Sequence, residues 1–531
     1  MPRLPHGLLD ITPETIRGVR DAVTERIADI PLAFAMAKPV DTRRFDFLFP
    51  NLQNDDDNLL PESRNTRDAL VDLGKAMSGN VGGDSNIPAA YTYFGQFVDH
   101  DITLEASSAP GSQLTREDLA PLPPDRITEE LLNVRTALLE LDSVYGLPAP
   151  RQDPPPKGNR SKMKIGQPTA LGGTSVPTLR PPGKSADNDH DLPREPRSVD
   201  VVHDRAALTG DPRNDENLII AQLHVAFLRA HNKLVDQGNN FRKAKRLLRQ
   251  HYQHIVLHDF LKRIADKQIV NEVIRDGNQV YDPEDDEFFT PLEFSVAAFR
   301  FGHSMVRARY DININFNNSG PPAIPATLAL LFTFTALSGQ LGEDIGLPPS
   351  DTLPENWIIQ WENLIDAGTG KAFNKTRRID TELVEPLDHL RILSGQEEGG
   401  LAARLAVRNL LRGYLLRLPT GQAVAHELGI NVLTPEEIKQ GAAGEAEVQA
   451  LQKGGFLERT PLWYYILAEA AVREDGQHLG PVGSTIVAEV LVGLIRRSPN
   501  SILDEKDWEP TLGKKKGTFN LADLLRFAGV L

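Results

Sequence analysis

No cysteine occurs anywhere in the 531 residues. That excludes disulfides, thiolate metal sites, iron–sulfur clusters and a cysteine nucleophile. Positive charge is in deficit: 58 Lys and Arg stand against 73 Asp and Glu, a formal net charge of -15. A chain that binds nucleic acid needs a basic field to meet the phosphates, so nucleic acid is excluded as a main partner. Long apolar runs are also missing. The longest is Ala326 to Leu337 (ATLALLFTFTAL). A membrane span takes about 20 apolar residues, so this segment reads as a buried helix. At the amino terminus Asp10, Glu14, Asp21, Glu25 and Asp29 interrupt anything like a secretory signal. The expectation is a cytoplasmic protein, with non-classical export left open.

What is present is a large, ordinary globular composition. Hydrophobic residues make up 40% and charged residues 25%, enough to bury a sizeable core. Residues 14–29 read as an amphipathic helix in an amino-terminal arm, 1–43. The stretch 147–197 carries Pro-Pro-Pro at 154–156, Gly-Gly at 172–173 and Pro-Pro at 181–182. It reads as a long loop inside one large domain, 44–531. Helical periodicity governs 216–236, 241–267, 291–308, 401–417, 460–473 and 484–497. RYDININF, 309–316, is the best strand candidate. The class is mostly α, with a few short strands.

Five constellations carry chemical potential. In GQFVDHDIT (95–103) a helix places Gln96, Asp99 and His100 on one side. The bland reading is a salt-bridged surface turn. In GDPRNDEN (210–217) Arg213 and Glu216 are three apart, after a Gly-Asp-Pro turn that opens the next helix; the bland reading is capping carboxylates. In AFRFGHSMVR (298–307) Arg300 and His303 are three apart among apolar neighbours. Here a satisfied core histidine competes with a metal ligand, which needs a partner for its second ring nitrogen. In RNLLRG (408–413) Asn409 and Arg412 share a helix face. Asn409 can accept a proton from an imidazole, and Arg412 can grip a carboxylate. In NVRTALLELDSVYG (133–146) Thr136, Leu138, Glu140 and Asp142 alternate, as oxygen ligands of a hard cation such as calcium do.

A sixth group, His251, His254 and His258, lines one helix face. His251 and His258 are about 10.5 Å apart along a helix axis, too far to share one ion. His224 and His231, seven apart, read as structural.

Taken together and in this order, these elements resemble the heme peroxidases of the animal type, the peroxidase–cyclooxygenase superfamily. The phrasings LDSVYG, LHDFL and GPVGSTIVAEVL resemble its bacterial branch. The resemblance runs from RFDFLFP (44–50) to the last helix. It implies a single-domain helical fold round heme b and a calcium ion. Gly95 to Asp101 matches the family's G-Q-x-x-D-H-D. His100 then corresponds to the distal histidine, Gln96 to the distal glutamine, Arg213 to the catalytic arginine and Asp101 to a calcium ligand. Asp99 and Glu216 fall where the family forms esters to heme methyls. Asn217 replaces a methionine that forms a third link in a few mammalian members. His303 corresponds to the proximal iron ligand, Asn409 to its hydrogen-bond partner, and Arg412, with Arg300, to the heme-facing arginines. Thr136, Leu138 (through its carbonyl), Glu140 and Asp142 fall on the calcium loop, with Glu140 where aspartate is more usual.

The activity implied is reduction of hydrogen peroxide through a ferryl intermediate, then oxidation of halides, thiocyanate or small aromatic donors. His100 acts as base then acid, and Arg213 stabilises the departing oxygen. Two alternatives stand beside it. One is a fatty-acid dioxygenase on the same fold, which would place a tyrosine where this chain has Arg300. The other is a non-catalytic heme-binding homologue.

Overall fold

The computed structural model describes residues 44–79, 82–106, 114, 116–133, 135–146, 161–171, 177–182, 189–199, 203–283, 289–319, 323–345, 350–390 and 400–531. The expected helix at 14–29 lies outside them. Helices dominate. Those of eight or more residues are α1 (Arg64–Ala76), α2 (Ala90–Ile102), α3 (Leu218–Asp236), α4 (Phe241–Ile255), α5 (Lys267–Asp276), α6 (Leu405–Leu415), α7 (Glu445–Gly454), α8 (Leu462–Glu474), α9 (Pro481–Arg497) and α10 (Leu521–Ala528). Strands are short. The largest sheet joins β1 (Arg44–Asp46), β2 (Glu105–Ala106), β3 (Leu132–Asn133) and β4 (Phe289–Pro291) in the order β2-β3-β1-β4.

The helix of the GQFVDHDIT segment, α2, is buried along its apolar side. Phe97 stacks on Phe227 of α3 with centroids 4.5 Å apart, and Tyr252 of α4 closes the cluster edge-on. Helix α3 starts where Asn217 caps it, its side-chain oxygen accepting from the Ile220 amide at 3.1 Å. Gly95 permits the tight approach of α2 to the LHDFL segment. A Cβ there would meet the Phe260 ring at 3.1 Å.

Buried carboxylates tie distant parts of the chain together. Asp259 accepts from Tyr91 of α2 at 2.6 Å, from Arg263 at 2.7 Å and from the Leu521 amide that opens α10 at 2.9 Å. Glu293 accepts from the Leu48 and Phe49 amides at 2.7 and 3.2 Å, fastening the RFDFLFP segment. Burial pushes the Glu293 carboxyl up to about 7. Glu489 of α9 accepts from the amides of Gln279, Val280 and Tyr281. Buried backbone groups of irregular segments need such partners.

Three sequence expectations are corrected. The expected helix over 291–308 is a π-helical turn, Glu293–Ala297, followed by a 3-10 helix, Ala298–His303. In a 3-10 helix residues three apart eclipse, so Arg300 and His303 project together. The helix expected in Ala326 to Leu337 covers only Leu328–Thr333: Thr327 caps its start, and Phe334 leaves helical geometry at φ −91°, ψ 26°. The strand expected at 309–316 shrinks to Arg309–Tyr310. Its alternation serves a different purpose: Asn313 and Asn315 point inward and bond the carbonyls of Asn356, Ile358 and Leu179, while Ile314 is exposed. Side-chain amides replace the strand partner.

Within 147–197 the described pieces form no helix. They run along the folded core, paired through Gly166 with Asp191 and Thr169 with Pro354. Arg194 is buried between Asp191 and Asp215, which joins this region to the turn that carries Arg213. Among the described residues no helix is long and apolar enough to cross a membrane.

Candidate active site

A cavity with about 1410 Å³ of empty space, open solvent included, is lined by Gln96, Asp99, His100, Arg213, Glu216, Arg300 and His303. These seven residues come from three separated segments, 96–100, 213–216 and 300–303. Apolar walls are supplied by Phe299, Phe301, Met305, Phe332 and Leu405, with Tyr93 among them.

His100 is buried and neutral: burial, then the nearby Arg213, push its imidazolium down to about 3. Its Nδ1 lies 2.8 Å from the Asn214 Oδ1, an acceptor, so Nδ1 carries the proton. The other ring nitrogen, Nε2, is 3.8 Å from the Glu216 carboxylate. A neutral imidazole with a lone pair on Nε2 is a competent proton acceptor at neutral pH.

Arg213 is held on one edge. Its Nε and Nη2 reach Asp211 at 3.1 and 2.8 Å, and Nη2 also reaches the Thr103 carbonyl at 2.5 Å. Nη1 faces Asp99 at 4.0 Å. Burial alone would raise the Asp211 carboxyl, but Arg135 and Arg213 overrule it and hold it well below the usual carboxylate range. Asp211 and Arg135 went unrecognised in the sequence, where Asp211 read as a turn residue. Asp211 does cap the turn, accepting from the Arg213 amide at 2.8 Å, and the same carboxylate clamps the guanidinium.

Gln96 donates to Glu216 and accepts from Asn217 at 3.2 Å. Asp99 accepts from the Thr103 hydroxyl at 2.8 Å, and burial raises its carboxyl despite Arg213. On the other side, His303 Nδ1 lies 2.8 Å from Asn409 Nδ2, the pair that the resemblance implied. Arg412 forms an ion pair with Glu105, a cavity residue. Burial pushes the Arg412 and Arg408 guanidinia down to about 10, and lowers Arg300 as well. Arg300 lines the cavity and Arg412 reaches it through Glu105, so both guanidinia stand where the carboxylates of a heme's propionates could be met. Together with two imidazoles lining the same cavity, they fit heme.

The expected calcium ligands gather behind α2, away from the cavity. Asp101 is fully buried and accepts from the Leu141 and Ser143 amides at 3.1 and 3.2 Å. Burial, then Asp142, push it up to about 7. Thr136 donates to Asp142 at 2.8 Å. These three fit a hard cation that would relieve the repulsion between carboxylates. Glu140 departs from the expectation. Arg249 of α4 takes both its carboxylate, at 3.0 Å, and its carbonyl, at 2.8 Å. The Leu138 carbonyl accepts from the Glu140 amide at 2.9 Å. Among the described residues no three carboxylate or imidazole side chains converge as a ready metal site. The loop is wedged against the Arg213 turn: a Cβ at Gly210 would meet the Asp142 carbonyl at 2.3 Å.

His251, His254 and His258 do not form a shared site. His251 donates to the Leu247 carbonyl at 2.7 Å and accepts from the Thr511 amide at 2.9 Å.

A mostly helical fold thus brings a histidine of α2 and one of the 3-10 helix Ala298–His303 to a single cavity that can hold a heme. A family profile described as animal haem peroxidase matches residues 113–336. A peroxidase-like protein of Margaritifera margaritifera is 30% identical over 281 residues, 45% of this chain and 33% of that protein. Thyroid peroxidase of Canis lupus familiaris is 24% identical over 271 residues, 40% of this chain and 28% of that protein. The chain thus spans about a third of the length of these curated relatives. In fold it is similar to peroxidase A of Dictyostelium discoideum, with a TM-score of 0.53 at 17% identity over 88% of both chains. It is also similar to the fatty acid alpha-dioxygenase of Oryza sativa, with a TM-score of 0.51 at 12% identity over 87% of this chain and 76% of that one. The match over residues 113–336 and the likenesses in sequence and fold support the peroxidase–cyclooxygenase superfamily.

Proposed function

We propose that this protein is a heme peroxidase that reduces hydrogen peroxide and oxidises small donors, halide, thiocyanate or aromatic. The observation that carries the reading is the state of His100: neutral, with Nδ1 protonated toward Asn214, in the cavity that Arg213 and His303 also line. Heme, when bound, supplies the iron at which the O–O bond is cleaved and the oxidising equivalents are stored. His303 would hold the iron, Arg300 and Arg412 would face the propionates, and Asp99 and Glu216 would form the ester links. His100 Nε2 takes the proton from one peroxide oxygen and returns it to the other, as base then acid. The Nη1 edge of Arg213, left over from the Asp211 clamp, meets the negative charge on the departing oxygen. Calcium, bound by Asp101 and Asp142 with Thr136, would anchor the residue next to His100.

The test uses the heme-loaded protein and its variants. His303→Ala should lose heme retention, and His100→Ala should keep heme yet lose peroxide-dependent oxidation of iodide or guaiacol about 100-fold or more. A Soret band that survives acid–acetone extraction supports the ester links. Full activity in His100→Ala refutes the reading. The rival, a fatty-acid dioxygenase, predicts oxygen uptake with a polyunsaturated fatty acid and no peroxide. Arg300 stands where that chemistry would need its tyrosine.

A further inference from the structure

Behind His100 lies a second imidazole that the proposed reaction does not use. His224, on α3, is fully buried, and so is Asn214 between the two rings. Asn214 Oδ1 faces His100 Nδ1 at 2.8 Å, and Asn214 Nδ2 faces His224 Nδ1 at 2.8 Å. A primary amide has one end that only accepts and one that only donates. The two neutral rings are therefore forced into opposite tautomers. His100 carries its proton on Nδ1, while His224 presents a bare Nδ1 and carries its proton on Nε2. Turning the amide over would invert both rings at once and place the His100 proton on Nε2, blocking the lone pair that a base needs.

We infer that Asn214 and His224 are positioning residues which together fix His100 in the base-competent tautomer; the catalytic consequence rests on the peroxidase reading above. Asn214 sits in the 3-10 turn Pro212–Asp215, and both of its neighbours are pinned. Arg213 is bound to Asp211, and Asp215 to Arg194. The amide thus has little freedom except rotation about its own side chain, and that rotation requires both rings to shift their protons together. An alanine at 214 would leave His100 without a partner for Nδ1. An aspartate would accept from both rings, preserving the His100 tautomer and inverting His224 alone. A merely space-filling residue at 214 predicts no such split.

The experiment is side-chain nitrogen-15 NMR on the full chain without heme, with His100 and His224 assigned by single substitution. The expected result is Nδ1–H on His100 and Nε2–H on His224 in the wild type. Asn214→Asp should invert His224 only, and Asn214→Ala should give a mixture at His100. His224→Phe, which keeps an aromatic ring, should also give a mixture at His100. A wild-type His100 protonated on Nε2, or one unchanged in both Asn214→Ala and His224→Phe, overturns the inference. With heme loaded, Asn214→Ala should slow the first reaction with hydrogen peroxide about 10-fold or more at equal heme content, with recovery in Asn214→Asp. The expected tautomers in a wild type that never reacts with peroxide would overturn the peroxidase reading, and with it the catalytic role alone.

Discussion

Arg300 Nη1 donates to Asn409 Oδ1 at 2.9 Å, and this contact decides which end of the Asn409 amide faces His303. A guanidinium cannot accept, so the amide oxygen stays with Arg300 and Asn409 Nδ2 donates to His303 Nδ1 at 2.8 Å. An iron-ligating histidine instead offers the Nε2 lone pair and donates its Nδ1–H. The Asn409 amide must therefore turn over, and Arg300 let go, when His303 becomes a ligand. Asn409→Asp removes the conflict, because a carboxylate accepts from both neighbours. The variant should bind heme at least as tightly as the wild type, by Soret titration. Its reduction potential should fall by about 59 mV for each tenfold gain in preference for ferric iron. Weaker heme binding with an unchanged potential would count against this account.

Asp211 neutralises two buried guanidinia, Arg135 and Arg213. Asp211→Asn keeps the shape and removes the charge, which should cost about 3–5 kcal/mol in urea unfolding. The Asp211 carboxyl is depressed in the fold, so its contribution is present above the unfolded value of about 3.9 and fades only below it. The penalty should therefore be the same at pH 8 as at pH 5.

His251 behaves differently with pH. Burial pushes it down to about 4, so it is neutral in the fold but protonates in the unfolded chain below about 6.5. Its stabilisation is complete above that value and declines by about 1.4 kcal/mol per pH unit as pH falls toward 4. His251→Leu should cost about 1 kcal/mol near pH 7.5, through the lost acceptor of the Thr511 and Leu512 amides. At pH 5 that deficit should shrink by about 2 kcal/mol and reverse. Urea midpoints at the two pH values check the sign.

Glu140 is engaged by Arg249, whereas Asp142 lies beside Asp101. Calcium affinity should then depend unequally on the two carboxylates. Glu140→Gln should change it less than about 3-fold and Asp142→Asn should weaken it more than about 10-fold, by calorimetric titration of the chelator-stripped protein. The opposite ranking would return Glu140 to the ligand set.

Local periodicity made several elements legible. Residues 216–236 are helical because apolar side chains recur at helical spacing, and the helix begins where Asn217 can cap it. The 3.6-residue period likewise set Gln96, Asp99 and His100 on one side, and all three line the cavity. The 291–308 segment shows the limit. Its apolar pattern suits a helix of any pitch and does not reveal the π-to-3-10 switch at Ala297, where φ is −125° and ψ −72°. The RYDININF alternation misled in the same way, since Ile314 is exposed while Asn313 and Asn315, of the opposite parity, are buried by their bonds to distant carbonyls.

The chain alone determined which residue types the chemistry can use: two histidines, the arginines and paired carboxylates at fixed spacings, and no thiol to be oxidised. Only the folded structure decided the protonation and partners of those groups. Asn214 beside His100, Arg135 on the Asp211 that clamps Arg213, and the diversion of Glu140 to Arg249 all join residues far apart in sequence. Spacing specifies neighbours along a helix. A tautomer or a depressed carboxyl depends on burial and on whichever charge the fold brings within a few ångströms, and no local pattern encodes that.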